Sequence, residues 1–307
     1  MTESFLNISS RQKKFNFAIN KQKLIQGLVW KIAIATVALM AVGSATRVMN
    51  AGLACPDWPL CYGQFIPNQY WNLQVFLEWF HRLDAGLIGL STLALVLLSW
   101  WFRRDLPQWL PWAALTSLGL IVFQAVLGGL TVTKLLRFDI VTAHLGTAFL
   151  FLGSLIIIGC SLIPHTSYGT GKKLPWWGAI STVLVYGQCL LGGLVGSRWA
   201  LHQCFNGYEL CAVMNSHLIG VVPSTIATFI TVVAALRTPA LHPHLRKISQ
   251  GIGLLLGAQL ALGLMTFRLH LQVEPLTVIH HAVGALLFAC LLAFSTIALR
   301  DQKLASI

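Results

Sequence analysis

The sequence contains few charged residues, and acidic residues are the scarcest among them. Charged side chains make up 10% of the 307 residues, and only nine residues are aspartate or glutamate. About a quarter of the residues in an ordinary soluble domain are charged, so the composition excludes that class. The 21 Lys and Arg residues give a net charge of +12. We interpret this excess as a membrane-topology signal and an attraction to anionic lipid, and not as nucleic-acid binding.

The chain contains several long apolar runs that are nearly free of charged residues. Hydrophobic residues make up 56% of the chain, and a helix that crosses a bilayer needs about 20 residues. We predict an all-α integral membrane protein with eight transmembrane helices, arranged as two pseudo-symmetric four-helix bundles. The predicted spans are 28–48, 79–101, 109–133, 140–163, 175–197, 212–236, 250–268 and 276–299. We expect no cleavable signal sequence, because the basic leader lacks a small-residue cleavage site.

The Lys and Arg residues predict the orientation of the helices, since short basic loops stay in the cytoplasm. They are concentrated in the leader and after every second span, so we expect both termini in the cytoplasm and a bacterial inner-membrane location. Two loops with cysteine pairs, "CPDWPLC" (55–61) and "HQCFNGYELC" (202–211), then lie outside. That compartment permits disulfides, and each pair can close a small ring; four unrelated thiols are the alternative. In the first loop, prolines stiffen the chain and Asp57 keeps it hydrated.

A repeated motif divides the chain into two halves. "QAVLGGLTV" (124–132), "QCLLGGLVG" (188–196) and "QLALGLMTF" (259–267) share a glutamine and a Leu-Gly pair, and "LMAVGSATR" (39–47) is a weaker copy. Close packing of helices in lipid explains the glycines. We therefore expect a cytoplasmic leader (1–27), an N-terminal half (28–165), a cytoplasmic linker (166–174), a C-terminal half (175–300) and a cytoplasmic tail (301–307).

Four histidines fall at a similar depth in the even-numbered spans. His81, His144, His217 and His280 each lie near the outer end of a span, and His281 adjoins the last of them. A lone histidine in such a place is more often an interhelical hydrogen-bond partner. Two histidines in each half instead favour a role as ligands of a metal. A haem held between two imidazoles suits an apolar bundle better than zinc or copper does. Its propionates would face outward, toward arginines at the span ends: Arg47, Arg82, Arg198 and Arg268.

One carboxylate distinguishes the two halves. Glu78 precedes His81 by three residues, so both project from one face of a helix, and no carboxylate occupies the matching position beside His217. A partly buried glutamate can exchange protons near neutral pH. This predicts chemistry at the first site and electron transfer at the second. A salt bridge between Glu78 and Arg82, or a solvated helix end, is the structural alternative.

Several segments together resemble the haem A synthase family over nearly the whole membrane region. They are "GSATRVMNAGLACPDWPLCYGQ", "EWFHRL", "AHLGTA", the Gln-x-x-Leu-Gly motifs and "IHH". The resemblance implies an oxidoreductase that converts the C8 methyl of haem O, through an alcohol and a hydrated aldehyde, to the formyl group of haem A. It implies Glu78, His81 and His144 as the substrate haem site. The expected partners are haem O, haem O synthase, terminal oxidase assembly factors and membrane lipid.

The same resemblance implies a haem b cofactor in the second half, bound by His217 and His280. His281 is the reserve ligand, because successive helix residues point about 100° apart and cannot both face one iron. The sixth span reads "SHLIG" where the family commonly has His-Arg, which leaves that haem without a matching propionate partner. The cysteine pairs Cys55–Cys61 and Cys204–Cys211 match the family's extracytoplasmic pairs.

Two other functions use the same buried histidines. A di-haem b-type cytochrome that oxidises quinol also needs four of them, but it does not call for a carboxylate beside one pair alone. A transporter with repeated halves could use the histidines as a proton relay.

Overall fold

A computed structural model describes residues 2–164, 171, 173–196, 212–239 and 241–305, with side chains between positions 20 and 302 of those ranges. Arg198, Cys204 and Cys211 lie outside the described residues. Eight helices are described, each containing a segment long and apolar enough to cross a membrane. They are α1 Thr2–Val48, α2 Leu73–Trp101, α3 Leu110–Thr133, α4 Phe138–Leu162, α5 Leu174–Val195, α6 Ala212–Leu236, α7 Pro243–Arg268 and α8 Glu274–Ala305. The prediction of an all-α membrane protein with eight spans is confirmed.

Several helices begin earlier than the hydropathy pattern predicts. The first apolar span starts at Asn20 and not at 28, and helix α1 continues back through the leader to Thr2. Helix α2 starts at Leu73 because Asn72 caps it, its side chain accepting a hydrogen bond from the Val75 N–H at 2.9 Å. Hydropathy marks the part of a helix that crosses the lipid, whereas capping side chains set where the helix begins.

Each half of the chain forms a ring of four helices. In the first half, α1 contacts α2, α2 contacts α3, α3 contacts α4, and α4 contacts α1; α5 to α8 repeat this order. The halves meet where α8 packs against α1 and α4, and where α4 packs against α5. Helices α4 and α8 are the most buried of the spans, and residues such as Phe149, Leu155 and Phe294 form the core between the halves. The same arrangement of neighbouring helices in both halves is consistent with the predicted duplication.

Three of the odd-numbered helices also end in the same way. At the end of α1, α3 and α7, a threonine carbonyl accepts a hydrogen bond from the backbone N–H five residues later, which is typical of a Schellman cap. The residue before that N–H has a positive φ of 52–58°. The threonines are Thr46, Thr131 and Thr266, and the residues with positive φ are Asn50, Leu135 and His270. These residues hold equivalent places in the sequence motif, so the similarity between the motifs extends to the backbone at these three helix ends.

Candidate functional site

Each of the four predicted histidines lies against a glycine of the preceding helix. A Cβ atom added to Gly43 would be 2.9 Å from Cε1 of His81, and one added to Gly128 would be 3.3 Å from Cε1 of His144. In the second half, the corresponding distances are 3.1 Å between Gly192 and His217 and 3.0 Å between Gly263 and His280. A Cβ at Gly43 would therefore force a shift, and at the other three glycines the imidazole ring would have to move by a few tenths of an ångström. All four glycines hold the same place in the repeated motif. Each provides the surface against which an imidazole ring packs, and we call this surface a glycine seat.

Helix packing accounts for the glycines in the sequence, so the sequence alone did not predict their relation to the histidines. A signal is nevertheless present, because each glycine comes four residues after the first position of its motif and the next helix carries a histidine near its start. Only the structure shows which glycine faces which ring.

The histidines interact within each half. His81 and His144 are close enough to influence each other electrostatically, and so are His217 and His280. The Nδ1 atoms of His81, His144 and His280 are buried and have no hydrogen-bond partner in the described part of the chain. A histidine whose role is to bridge two helices would use its ring nitrogens for hydrogen bonds. In the second half, the Gln188 amide nitrogen lies 3.0 Å from Nδ1 of His217, and the Gln259 amide nitrogen lies 3.4 Å from Nε2 of His280. The pairing of the rings in both halves, together with the unpartnered rings of the first half, fits ligation of a haem better than it fits interhelical bridging alone.

His280 and His281 point toward different surroundings. His280 occupies the glycine seat on α7, whereas the ring of His281 lies 6.2 Å from that of Phe149 on α4. His281 also interacts electrostatically with Arg47 of α1. His281 therefore faces the first half, and the geometry favours His280 as the partner of His217.

Glu78 and Arg82 bind the first cysteine loop to α2. The Glu78 Oε1 atom accepts a hydrogen bond from Arg82 Nη2 at 2.6 Å, and its Oε2 atom accepts one from the Cys55 N–H at 2.8 Å. Arg82 also donates to the backbone carbonyls of Asp57, Leu60 and Cys55. The structural alternative considered for Glu78 is thus present, and it extends beyond a simple ion pair. Glu78 is 4% exposed, so both of its oxygens accept these hydrogen bonds away from solvent.

The loop itself is a compact turn closed by the predicted Cys55–Cys61 disulfide, with a Cα–Cα distance of 4.7 Å. Asp57 accepts hydrogen bonds from the N–H groups of Tyr62 and Gly63 at 2.6 and 2.8 Å. Burial tends to raise the pKa of this carboxyl, but the two N–H groups outweigh it and the pKa lies below its ordinary value. Besides the predicted role of keeping the loop hydrated, the Asp57 side chain therefore also holds the turn together.

The loop reaches across the first half toward α3. The ring of Trp58 lies against Gly129, where an added Cβ would be 3.1 Å from the indole Cδ2 atom. Gly129 follows Gly128, the seat of His144. The cysteine loop therefore packs beside the first histidine pair as well as on α2.

The arginines proposed as propionate partners differ in what they already bind. Both Nη atoms of Arg82 donate to protein acceptors. Arg47 donates from Nε to the carbonyl oxygen of Gly196 at 2.8 Å and so joins α1 to the residue that ends α5. Arg268 lies in the last turn of α7.

Fold and site together define a class: a multi-pass helical membrane protein with two half-buried imidazole pairs, of which one adjoins a buried carboxylate and a disulfide loop. A family model described as COX15-CtaA, cytochrome oxidase assembly protein, matches residues 26–292, and the chain belongs to this family.

Curated relatives carry more specific names. A protein of Shewanella oneidensis named Heme A synthase is 32% identical over 203 residues, which is 58% of this chain and 59% of that relative. Another Heme A synthase, from Caulobacter vibrioides, is 26% identical over 87% of this chain and 94% of its own. A Thermus thermophilus protein named Protoheme IX farnesyltransferase is 26% identical over 80% of this chain but only 44% of its own.

Proposed function

We propose that this protein is a haem A synthase, which oxidises the C8 methyl of haem O to a formyl group. The observation that carries the proposal is the first imidazole pair, His81 and His144, next to Glu78 and the disulfide loop in a chain of this family. The net reaction converts a methyl group and one water into a formyl group, four protons and four electrons. The site must therefore take up protons and pass on electrons.

The first half provides the substrate site. His81 of α2 and His144 of α4 would hold the iron of haem O. Glu78 lies three residues from His81 in α2 and is the one carboxylate of the site that is buried. Its role is to accept protons released from the methyl group. Because Arg82 and the Cys55 amide bind it, the same contacts position the carboxylate.

The second half provides a site for haem b, held by His217 and His280. Haem b supplies one-electron redox chemistry when it is bound. The chain's own contribution is to seat the two rings on Gly192 and Gly263. Glu78 stands three residues before His81, and the matching position three residues before His217 is Met214. This difference supports an electron-transfer role for the second site.

Location and partners follow from the charge pattern and the relatives. The basic residues at the leader and after every second span support an inner-membrane protein with both termini in the cytoplasm. The Thermus relative is named for farnesylating protohaem, and more than half of its length lies outside the match. An enzyme of that kind would supply haem O, so we include haem O synthase among the partners, together with terminal oxidase assembly factors.

Pigment analysis tests the proposed function. The full chain is expressed with a source of haem O, purified in detergent, and its haems are extracted and identified by mass. We expect haem A, residual haem O and haem b, and we expect His81→Ala and His144→Ala to lose haem A while keeping haem b. Haem b alone in the wild-type protein, with reversible reduction by quinol, would instead support the di-haem cytochrome. A protein without any haem would support the transporter.

A further inference from the structure

The segment between the disulfide loop and α2 exposes a cluster of apolar side chains. They are Tyr62, Phe65, Ile66, Tyr70, Trp71 and Leu73, and we call them the outer plate. Residues 62–77 contain no charged side chain. Exposed apolar clusters of this kind mark sites of contact with a membrane, a ligand or another protein. The outer plate is therefore a candidate interaction surface.

Contacts with α2 hold the outer plate in a fixed position. The indole nitrogen of Trp79 donates a hydrogen bond to the backbone carbonyl of Phe65 at 2.8 Å. The ring of Trp71 contacts that of Trp79 edge-on, with centroids 5.2 Å apart. Within the segment, the rings of Tyr62 and Tyr70 stack with centroids 4.0 Å apart. The chain thus folds back along the first turns of α2, to the level of Trp79.

The length of α2 indicates the depth of that level in the membrane. The helix spans 29 residues, Leu73–Trp101, which is about 43 Å at the usual rise per residue. The hydrocarbon core is only about 30 Å thick, and about 20 helical residues cross it. Under the proposed orientation, Arg103 and Arg104 mark the cytoplasmic surface just after α2. The outer boundary of the core then falls near His81, so Trp79 and the chain that it holds lie in the headgroup layer.

The outer plate also faces the same way as the lipid-facing side of α2. Exposed apolar residues on this side have the spacing of one helix face. They are Leu73, Phe76, Phe80, Leu87 and Leu90. Leu90 lies within the span and is 66% exposed, so this face contacts lipid. Since Leu73 belongs both to this face and to the outer plate, one apolar surface continues from the acyl chains to the plate.

We propose that the outer plate docks into the headgroup layer of the outer leaflet, with zwitterionic phospholipid as its partner. Tyrosine and tryptophan combine an apolar ring with a polar edge, and they are enriched at this level of membrane proteins. Gln64, Asn68 and Gln69 add amides that can bind headgroups. Because residues 62–77 contain no Lys or Arg, docking does not depend on anionic lipid. Continuity with the lipid-facing side of α2 favours lipid over a second copy of the chain.

Docking of the outer plate would also support the disulfide loop. The backbones of Cys61 and Gln64 exchange two hydrogen bonds, of 3.0 and 3.1 Å, which join the loop to the plate. Cys61 is disulfide-bonded to Cys55, whose N–H donates to Glu78. The bilayer would thus hold, through the plate, the loop that contacts this carboxylate.

Photo-crosslinking of the wild-type protein tests the proposal. The full-length chain is placed in phosphatidylcholine nanodiscs that contain a small fraction of a lipid with a benzophenone group, either close to the glycerol (shallow probe) or at the end of an acyl chain (deep probe). After illumination and proteolysis, mass spectrometry locates the lipid adducts. We expect shallow-probe adducts within residues 62–73 and deep-probe adducts around Leu87 and Leu90. Absence of shallow-probe adducts from residues 62–73 would overturn the proposal.

A double variant measures the contribution of the exposed side chains. In Phe65→Asp/Ile66→Asp, the hydrogen bond from Trp79 is kept because it uses the backbone of residue 65. We expect shallow-probe adducts in the plate to fall about tenfold, since burial of one phenylalanine side chain changes an equilibrium by about that factor or more. Deep-probe adducts around Leu87 should not change.

Leu135→Asp is the matched control for the double variant. Leu135 is an exposed apolar residue between α3 and α4 and does not belong to the outer plate, so this variant should keep the wild-type adducts in the plate. Addition of phosphatidylglycerol to the nanodiscs should also leave the wild-type adducts unchanged. A yield that rises with the fraction of phosphatidylglycerol would contradict the choice of zwitterionic lipid.

The outcomes separate lipid from a protein partner. Cross-links from the plate to a second chain, without shallow-probe adducts, would assign the surface to an interface between copies and overturn the proposal. Equal adduct yields in the double variant and the wild type would overturn it as well. If the double variant does not fold, the wild-type adduct map still decides the question. The experiment needs no haem, so its result is independent of the proposed function.

Discussion

The two halves of the molecule share a scaffold and differ in what surrounds the histidines. Both are four-helix rings, and both seat two imidazoles on glycines of the repeated motif. Only the first half has a buried glutamate beside a histidine pair and an arginine that donates hydrogen bonds to the cysteine loop. Its first motif also has a leucine where the other motifs have glutamine. Under the proposed function, the shared scaffold would bind a haem in each half, and these few differences would make only the first site reactive.

The largest expected effect comes from removing the carboxylate that only the first half has. Glu78→Ala should abolish haem A formation while haem b stays bound, because the proton acceptor and the anchor of the loop are lost together. Haem extraction and mass measurement check both haems. Glu274→Ala, an exposed glutamate at the start of α8, is the matched control and should behave as wild type. Haem A formation by Glu78→Ala would remove the proposed role of this residue.

Alanine in a glycine seat should affect one half at a time. In Gly43→Ala the new Cβ would press on His81, and in Gly192→Ala it would press on His217. Overpacking of this kind costs about 1–3 kcal/mol, which corresponds to roughly 5-fold to 150-fold weaker haem binding if the ring must move to relieve it. Gly43→Ala should reduce haem A, and Gly192→Ala should reduce haem b.

Gly257→Ala provides the control for the glycine variants. An added Cβ at Gly257 has no atom within 4 Å, so haem content should not change. If Gly43→Ala reduced both haems equally, the two sites would not be independent, and the comparison between the halves would fail.

The disulfide of the first half should have a moderate effect on stability. Cys55→Ser/Cys61→Ser opens a small ring, for which the loop-entropy relation gives about 2 kcal/mol lost from the free energy of unfolding. Thermal unfolding in detergent, followed by circular dichroism, measures the change. The second haem should stay bound because the loop contacts α2 and α3. Loss of haem b in this variant would show that the loop supports both halves.

The smallest effect concerns the turn inside that loop. The pKa of Asp57 is lower in the folded protein than its ordinary value of 3.8. Its contribution to stability is therefore present above pH 3.8 and is lost as the pH falls through the lower, folded pKa. The thermal midpoint of the wild type should fall more than that of Asp57→Asn between pH 5 and pH 3. Parallel curves for the two proteins would contradict the role of this carboxylate.

The sequence predicted the helices well because length and hydropathy define a membrane span. It predicted their ends less well, since the Asn72 cap and the helical leader before Asn20 have no hydropathy signal. The spacing of Glu78 and Arg82 allowed the salt bridge to be anticipated, but the carbonyls that Arg82 binds depend on how the loop folds. The seats depend on the register between neighbouring helices, which a single sequence does not contain.

The hydrogen bond from the Cys55 amide to Glu78 connects the covalent state of the loop to the interior of the first half. Cleavage of the disulfide would release the backbone that holds this carboxylate, three residues from His81. Thiol chemistry at the surface would then alter proton uptake within the bilayer. The rate of haem A formation would then depend on how oxidising the compartment is that the loop faces.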